Sequence, residues 1–418
     1  MHAVLQQFNL HPDYDDILGE VHARRELPQD IPSIIHRVGI LLPRDEKEQD
    51  DFTQKIESVW QEICQCDIDA GQRSFSLVRD QFKLSYERHT EFITFTWINQ
   101  NGRMTSEVEK MLHVFQKGEL LSAVRLKITG TNGSFPVRSD PPHNLCAGVS
   151  EEGRIYIATS FEEAQDGFVE YDVVVKEGLP SVRLGIVVKR LLELETYRMF
   201  TLLGLPTAKR TIADLNILEQ SYSDLLLRID IEDQNLLQQS LVLELQNLLI
   251  ELERLSQASH FRFSATLAYG RILDQRLRAL KFQQSGTIRE FAPFLEQRVA
   301  PAVSTCKTTH QRIETLSRKI ALAVNLINTR SGEIRQKQNQ EVLNALHYTS
   351  ERQYRLQRTV EGLSVIAISY YAIGLAGYFL GSFTDILGVS KSQMMTGAVP
   401  IIILLVWLFV QRIKRQNH

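Results

Sequence analysis

The hydrophobic pattern of the chain falls into three regimes. Up to about Gly178, short runs rich in branched residues alternate with turn signals such as Glu151-Glu152-Gly153. The runs are SIIHRVGILLP, FKLSYERHTEFITFTWI, LSAVRLKITG, NLCAGVS, RIYIATS and FVEYDVVVKEG, and their length and composition predict strands. Among them DEKEQDDFTQKIESVWQEICQ puts Phe52, Ile56, Val59 and Ile63 on one face and predicts a helix. Strands in succession with a few helices predict an α+β domain over residues 1–178.

After Pro180 the apolar period becomes 3.6 and stays there. SVRLGIVVKRLLELETYRMFTLLGL predicts one helix, and a second begins at Pro206 with Ile212, Leu215, Leu218, Tyr222, Leu225 and Ile229 aligned. A third, NLLQQSLVLELQNLLIELERLSQAS, is dense in leucine, and a fourth runs from about His260 to Gln284 with Gly286 as its expected cap. These make a helical domain over 179–300. Between Pro301 and Pro400 there is no proline, so residues 301–361 predict one long stalk helix, with Ile313, Leu316, Ile320, Ala323, Ile327 and Ile334 in a heptad seam.

The third regime is two uncharged runs, 362–384 and 392–411. Each reaches the ~20 apolar residues that a helix needs to cross a bilayer, where lipid offers the backbone no hydrogen bonds. They predict two spans with a short outer loop at 385–391 and a basic tail at 412–418. Arg352, Arg355 and Arg358 precede the first run, and Arg412, Lys414 and Arg415 follow the second, while the loop holds only Lys391 and Asp385. The positive-inside rule therefore places both termini in the cytoplasm and the loop outside, with the inner membrane of a Gram-negative bacterium as the expected location. The opening MHAVLQQFNLHPDYDD has no basic start followed by an apolar run, so no secretory signal is expected. The chain thus reads as an α+β cytoplasmic domain followed by a helical bundle with a long stalk helix and a C-terminal two-helix transmembrane hairpin, with the lipid bilayer as its first partner.

Charge and composition narrow the function. A net charge of -3 over 418 residues gives no clustered cation for phosphate backbones, so nucleic acid is not an expected partner. The four cysteines, Cys64, Cys66, Cys146 and Cys306, read as reduced cytosolic thiols. Cys64-x-Cys66 lacks the spacer and the second pair of a zinc knuckle. No Walker loop, dinucleotide fingerprint, nucleophile elbow or zinc-protease motif occurs, so the chain is expected not to be an enzyme and to hold no organic cofactor.

Three groups of residues carry the remaining chemistry. Within the first span Ala367, Tyr370, Gly374, Gly377 and Gly381 follow one seam, which serves close helix packing or, in a ring of helices, lines a narrow path. Glu87, His89 and Glu91 alternate on an expected strand, so all three would project from one sheet face, as a divalent-cation site, an acid/base group or a solvated face. Glu20, His22 and Arg24 in EVHARRELP form a polar motif that joins the N-terminal segment to the sheet or serves catalysis.

Four of these segments, EVHAR at 20–24, ERHTEF at 87–92, KRLLELETYRM at 189–199 and VEGLSVIAISYY at 360–371, resemble in this order a bacterial family of predicted membrane-anchored proteins, a domain of unknown function. The resemblance covers nearly the whole chain and implies an anchor but no activity. The architecture is similar to that of the CorA-type divalent-cation transporters, which are homopentamers whose first span lines the pore. That similarity implies a homo-oligomer with a divalent-cation or small-solute pathway. The Gly-Met-Asn signature of those transporters is absent; Gly377-Tyr378-Phe379 and Gly381-Ser382-Phe383 stand in its place, so their magnesium selectivity is not implied. The alternative is a membrane-tethered cytoplasmic scaffold or sensor, with no transport and with a protein partner that the residues do not name.

Overall fold

The computed structural model describes residues 29–65, 73–79, 82–99, 104–135, 144–231, 235–283, 289–381 and 390–416. Glu20, His22, Arg24 and Cys66 lie outside them. The strand-like runs become β1 (Ser33–Leu41), β2 (Ser74–Arg79), β3 (Phe82–Arg88), β4 (Phe92–Asn99), β5 (Glu119–Thr131), β6 (Cys146–Ser150), β7 (Ile155–Glu163) and β8 (Val169–Lys176), joined by a short β9 (Arg289–Glu290). All pair in one mixed sheet, in the order β2-β3-β4-β1-β5-β8-β7-β6-β9. The Glu151-Glu152-Gly153 turn between β6 and β7 has positive φ at all three residues, 49°, 55° and 87°. Only the glycine adopts that region without strain.

A sheet whose central strands are buried on both faces needs a cover on each. One face is covered by α1 (Glu46–Cys64) and α2 (Ser106–Phe115). Phe52, Ile56, Trp60, Val108 and Met111 of these helices pack on Val38, Ile40, Phe95 and Trp97. Asp45 caps α1, its carboxylate accepting from the backbone of Lys47 and Glu48 at 3.0 and 3.1 Å. The other face is covered by α3 (Ser181–Leu202), α5 (Asn235–Ala279) and the start of α6 (Phe291–Gly381), with α4 (Gly204–Ile231) alongside. There Leu184, Leu191, Leu273, Leu277 and Leu295 join Ile35, Val124, Leu126 and Val173.

Three expectations about the helices are corrected. The third and fourth predicted helices are one, α5, because the polar Ser256-Gln257-Ala258-Ser259 stretch stays helical: Ser259 Oγ donates back to the carbonyl of Leu255 at 2.8 Å. α5 then ends at Ala279, before the left-handed Lys281 (φ 48°), and not at Gly286, which lies outside the described residues. The stalk starts at Phe291 and carries Pro301 inside it. Proline costs one backbone bond there, but the fixed φ is helical.

The chain divides into two compact units, Met1–Ala323 and Val324–His418. The divisions expected at 178/179 and 300/301 fall inside the first, since α3, α5 and the start of α6 supply the sheet with its second cover. The second unit holds the remainder of α6 and α7 (Lys391–Gln416). Among the described residues two helices are long and apolar enough to cross a membrane, with best windows of mean hydropathy 1.7 in Phe291–Gly381 and 2.2 in Ser392–Arg412. No break in α6 separates the predicted stalk from the predicted span.

Candidate functional site

The expectation that Glu87, His89 and Glu91 share one strand is corrected. β3 ends at Arg88 and β4 begins at Phe92, with Arg88 opposite Ile93, so His89 and Glu91 belong to the turn of a hairpin. The backbone of His89 donates to Phe92 O at 2.8 Å and closes that turn. The imidazole lies 3.9 Å from Glu87 Oε2 and stacks on Phe92 at 4.2 Å. Glu91 turns the other way, toward α5, and accepts from Arg262 Nη1 at 3.1 Å and Nη2 at 2.7 Å. Burial, reinforced by a hydrogen bond to Glu91, holds the Tyr269 hydroxyl well above the usual phenol range. With both oxygens of Glu91 facing a guanidinium, the three residues are not arranged around a common point. Among the described residues no group of three such side chains could hold a metal ion.

The KRLLELETYRM segment meets the same place from the other side. Tyr197 of α3 lies 5.6 Å from the Tyr269 ring, and Phe200 stacks on Phe92 at 4.0 Å. Its charges are engaged as well. Glu193 pairs with Arg276 of α5, and Arg190 Nη1 donates to the carbonyl of Ala279 at 2.9 Å, close to the end of that helix. Glu195, 1 % exposed, accepts from Tyr171 Oη at 2.7 Å and from Arg198 Nε at 2.9 Å. Burial and the Glu195 charge push Tyr171 well up, while for Arg198 the attraction of Glu195 outweighs burial and raises its value. Two of the segments that carry the family resemblance, some hundred positions apart, thus form one polar and aromatic joint between hairpin turn, α3 and α5.

A second polar group, on the opposite sheet face, was not foreseen. His36 of β1 stands opposite Trp97 of β4 and Arg125 of β5, and Arg125 stands opposite Glu170 of β8, so the four side chains form one row. Trp97 stacks on the imidazole at 4.9 Å and Phe168 meets it edge-on at 5.2 Å. Arg125 Nε donates to His36 Nε2 at 2.9 Å, Nη1 donates to Glu170 at 2.7 Å, and Nη2 donates to Asp166. Lys127 completes the network with 2.7 Å to Glu170. Burial, then the charge of Arg125, lowers His36 to about 4. Its Nε2 is an acceptor, which assigns the proton to Nδ1. A neutral imidazole whose basic nitrogen is occupied does not take up a proton at neutral pH, so this row is an ion network and not an acid/base pair. The sequence signal was available: His36-Arg37 is a polar pair inside an otherwise apolar strand.

In the second unit the seam splits. Gly377 is buried, and a Cβ placed on it would stand 3.3 Å from Met395 Cε of α7. Gly381 is half-buried. Ala367, Tyr370 and Gly374 are exposed, Tyr370 to 74 %, and a Cβ on Gly374 would meet nothing within 4 Å. Besides Gly377, the shielded side of this stretch of α6 carries Val365, Ser369, Ala372 and Ala376. Cys146 and Cys306 are buried thiols, and burial pushes Cys146 up to about 11, which keeps it protonated and unreactive.

A family model described as protein of unknown function (DUF3422) matches residues 9–417. Comparison with curated proteins gives no match.

Proposed function

The chain belongs to that family of proteins of unknown function (DUF3422), and from its geometry we propose that it is a membrane-anchored homo-oligomer of the bacterial inner membrane. Its two spans leave both termini in the cytoplasm, and its α+β body acts as a tethered scaffold or sensor. One observation carries this reading. The apolar windows of α6 and α7 are 6 % and 0 % buried inside the chain, so their hydrocarbon faces have no cover of their own. Water is a poor neighbour for such a surface and lipid a good one. A non-enzymatic role is supported by the engagement of Glu91 with Arg262 and of Glu193 with Arg276, which ties the hairpin turn and α3 to α5, and by the pairing of buried Glu195 with Arg198.

The anchor is tested by washing membranes with alkaline carbonate, where release into the supernatant would sink the reading. Topology is tested with Ser390→Cys, which should react with an impermeant maleimide added outside intact spheroplasts.

A second reading, a divalent-cation or small-solute pathway of CorA-like build, is favoured by the exposure of Ala367, Tyr370 and Gly374 on one side of α6. In a ring of copies that side would face a shared axis. Ion flux across proteoliposomes that hold the purified chain decides between the two. Flux above that of empty vesicles supports the pathway, and its absence supports the tether.

A further inference from the structure

From Arg335 to Val360 every residue of α6 is exposed. A lone helix in water is marginal at such a length, because nucleation is costly and most helical stability in proteins comes from packing one face. That face is visible in the spacing. Alternating steps of four and three residues pass through Val342, Leu346, Thr349, Gln353, Leu356 and Val360. The same alternation continues without slip through Leu363, Ala367, Tyr370 and Gly374, all of them exposed. A strict repeat of this kind over about 50 Å of helix keeps one stripe facing one partner helix.

The charges respect the stripe. Between residues 342 and 364 the charged side chains are Glu351, Arg352, Arg355, Arg358 and Glu361. None is on the seam and only Arg352 flanks it. Arg352 is drawn away to Tyr348, with Nη2 donating to the Tyr348 hydroxyl at 2.9 Å and the guanidinium 4.7 Å from its ring. Neutral flanks let the stripe meet an identical stripe without repulsion. The occupant must also satisfy both halves of the seam. Lipid does not cover the half that lies among charged residues, and a soluble protein does not reach the half inside the uncharged run. A helix that makes the same change from polar to apolar surroundings at the same height fits both, and a second copy of α6 is such a helix.

Resting on the membrane reading above, we propose that α6 pairs in parallel and in register with α6 of a second copy along this seam. Thr349 and Gln353 are its polar layer, which lowers affinity and sets register. The test is oxidative cross-linking in native membranes of the full chain bearing one added cysteine, with the unmodified chain and its native thiols as background. Leu346→Cys and Leu356→Cys should give a disulfide-linked dimer. Glu351→Cys and Arg358→Cys, on the outer side of the same helix, should stay at background. Equal bands at all four positions, bands at the outer pair alone, or no bands overturn the proposal. The double variant Leu346→Glu with Leu356→Glu, purified in mild detergent, should fall to the mass of one chain while it still sediments with carbonate-washed membranes; an unchanged mass overturns it. Loss from the washed membranes would count against the anchor alone, since the cross-linking pattern reads the seam separately.

Discussion

Arg262 and Glu91, 171 residues apart, are joined by two parallel hydrogen bonds, Nη1 to Oε1 at 3.1 Å and Nη2 to Oε2 at 2.7 Å. The two side chains are only 13 % and 10 % exposed, so removing one strands a charge away from water. Glu91→Gln or Arg262→Ala should cost about 3–5 kcal/mol. The double variant Glu91→Gln with Arg262→Met should cost less than the sum of its parts, because no charge is left unpaired. Urea unfolding in mild detergent, followed by the fluorescence of the buried Trp60 and Trp97, measures this. Additive losses would show that the pair is not coupled.

His36 makes the first unit sensitive to mild acid. Its value is lowered from 6.5 to about 4 in the fold, so the unfolded chain binds the extra proton first. Stability is therefore full above about 6.5 and declines as pH falls toward 4, by on the order of 2 kcal/mol. Glu170 and Asp166 have lowered values, and their contribution is lost only below the ordinary carboxylate range. His36→Gln keeps an acceptor for Arg125 and should flatten the profile between pH 6.5 and 4. A profile as steep as that of the unmodified chain would assign the acid loss elsewhere.

Gly204 opens α4 where three helices cross. A Cβ there would fall on Thr266 Oγ1 of α5 and lie 3.1 Å from Cys306 Sγ of α6. Gly204→Ala should lower stability by about 1–3 kcal/mol, as overpacking does, even though alanine favours helix. A melting temperature at or above that of the unmodified chain would contradict this.

Gly374 and Gly377 should part company when enlarged. Gly374→Leu adds atoms to open space and should leave hairpin stability unchanged, whereas Gly377→Leu drives into Met395 and should destabilise the α6–α7 contact. Thermal aggregation of each variant in the same detergent compares them. A loss of the α6–α7 contact in Gly374→Leu as large as in Gly377→Leu would contradict this.

Local patterns determined most of the elements. The short branched run SIIHRVGIL and period 3.6 in the run after Pro180 are local traces of burial, so the existence of β1 and α3 was legible in the chain itself. The two uncharged runs were legible for the same reason, since charge is excluded along a whole span and not at alternate positions. Tertiary structure alone decided what those patterns do not encode. Glu87 lies on β3 while Glu91 falls in the turn that follows it, and α5 runs unbroken through Ser259, neither of which periodicity marks; the joining of Arg289–Glu290 to the sheet depends on a neighbour distant in sequence. So do the pairs of Glu91 with Arg262 and of His36 with Arg125: periodicity records which face is buried, while the partner that satisfies a buried charge is chosen only when remote segments come together.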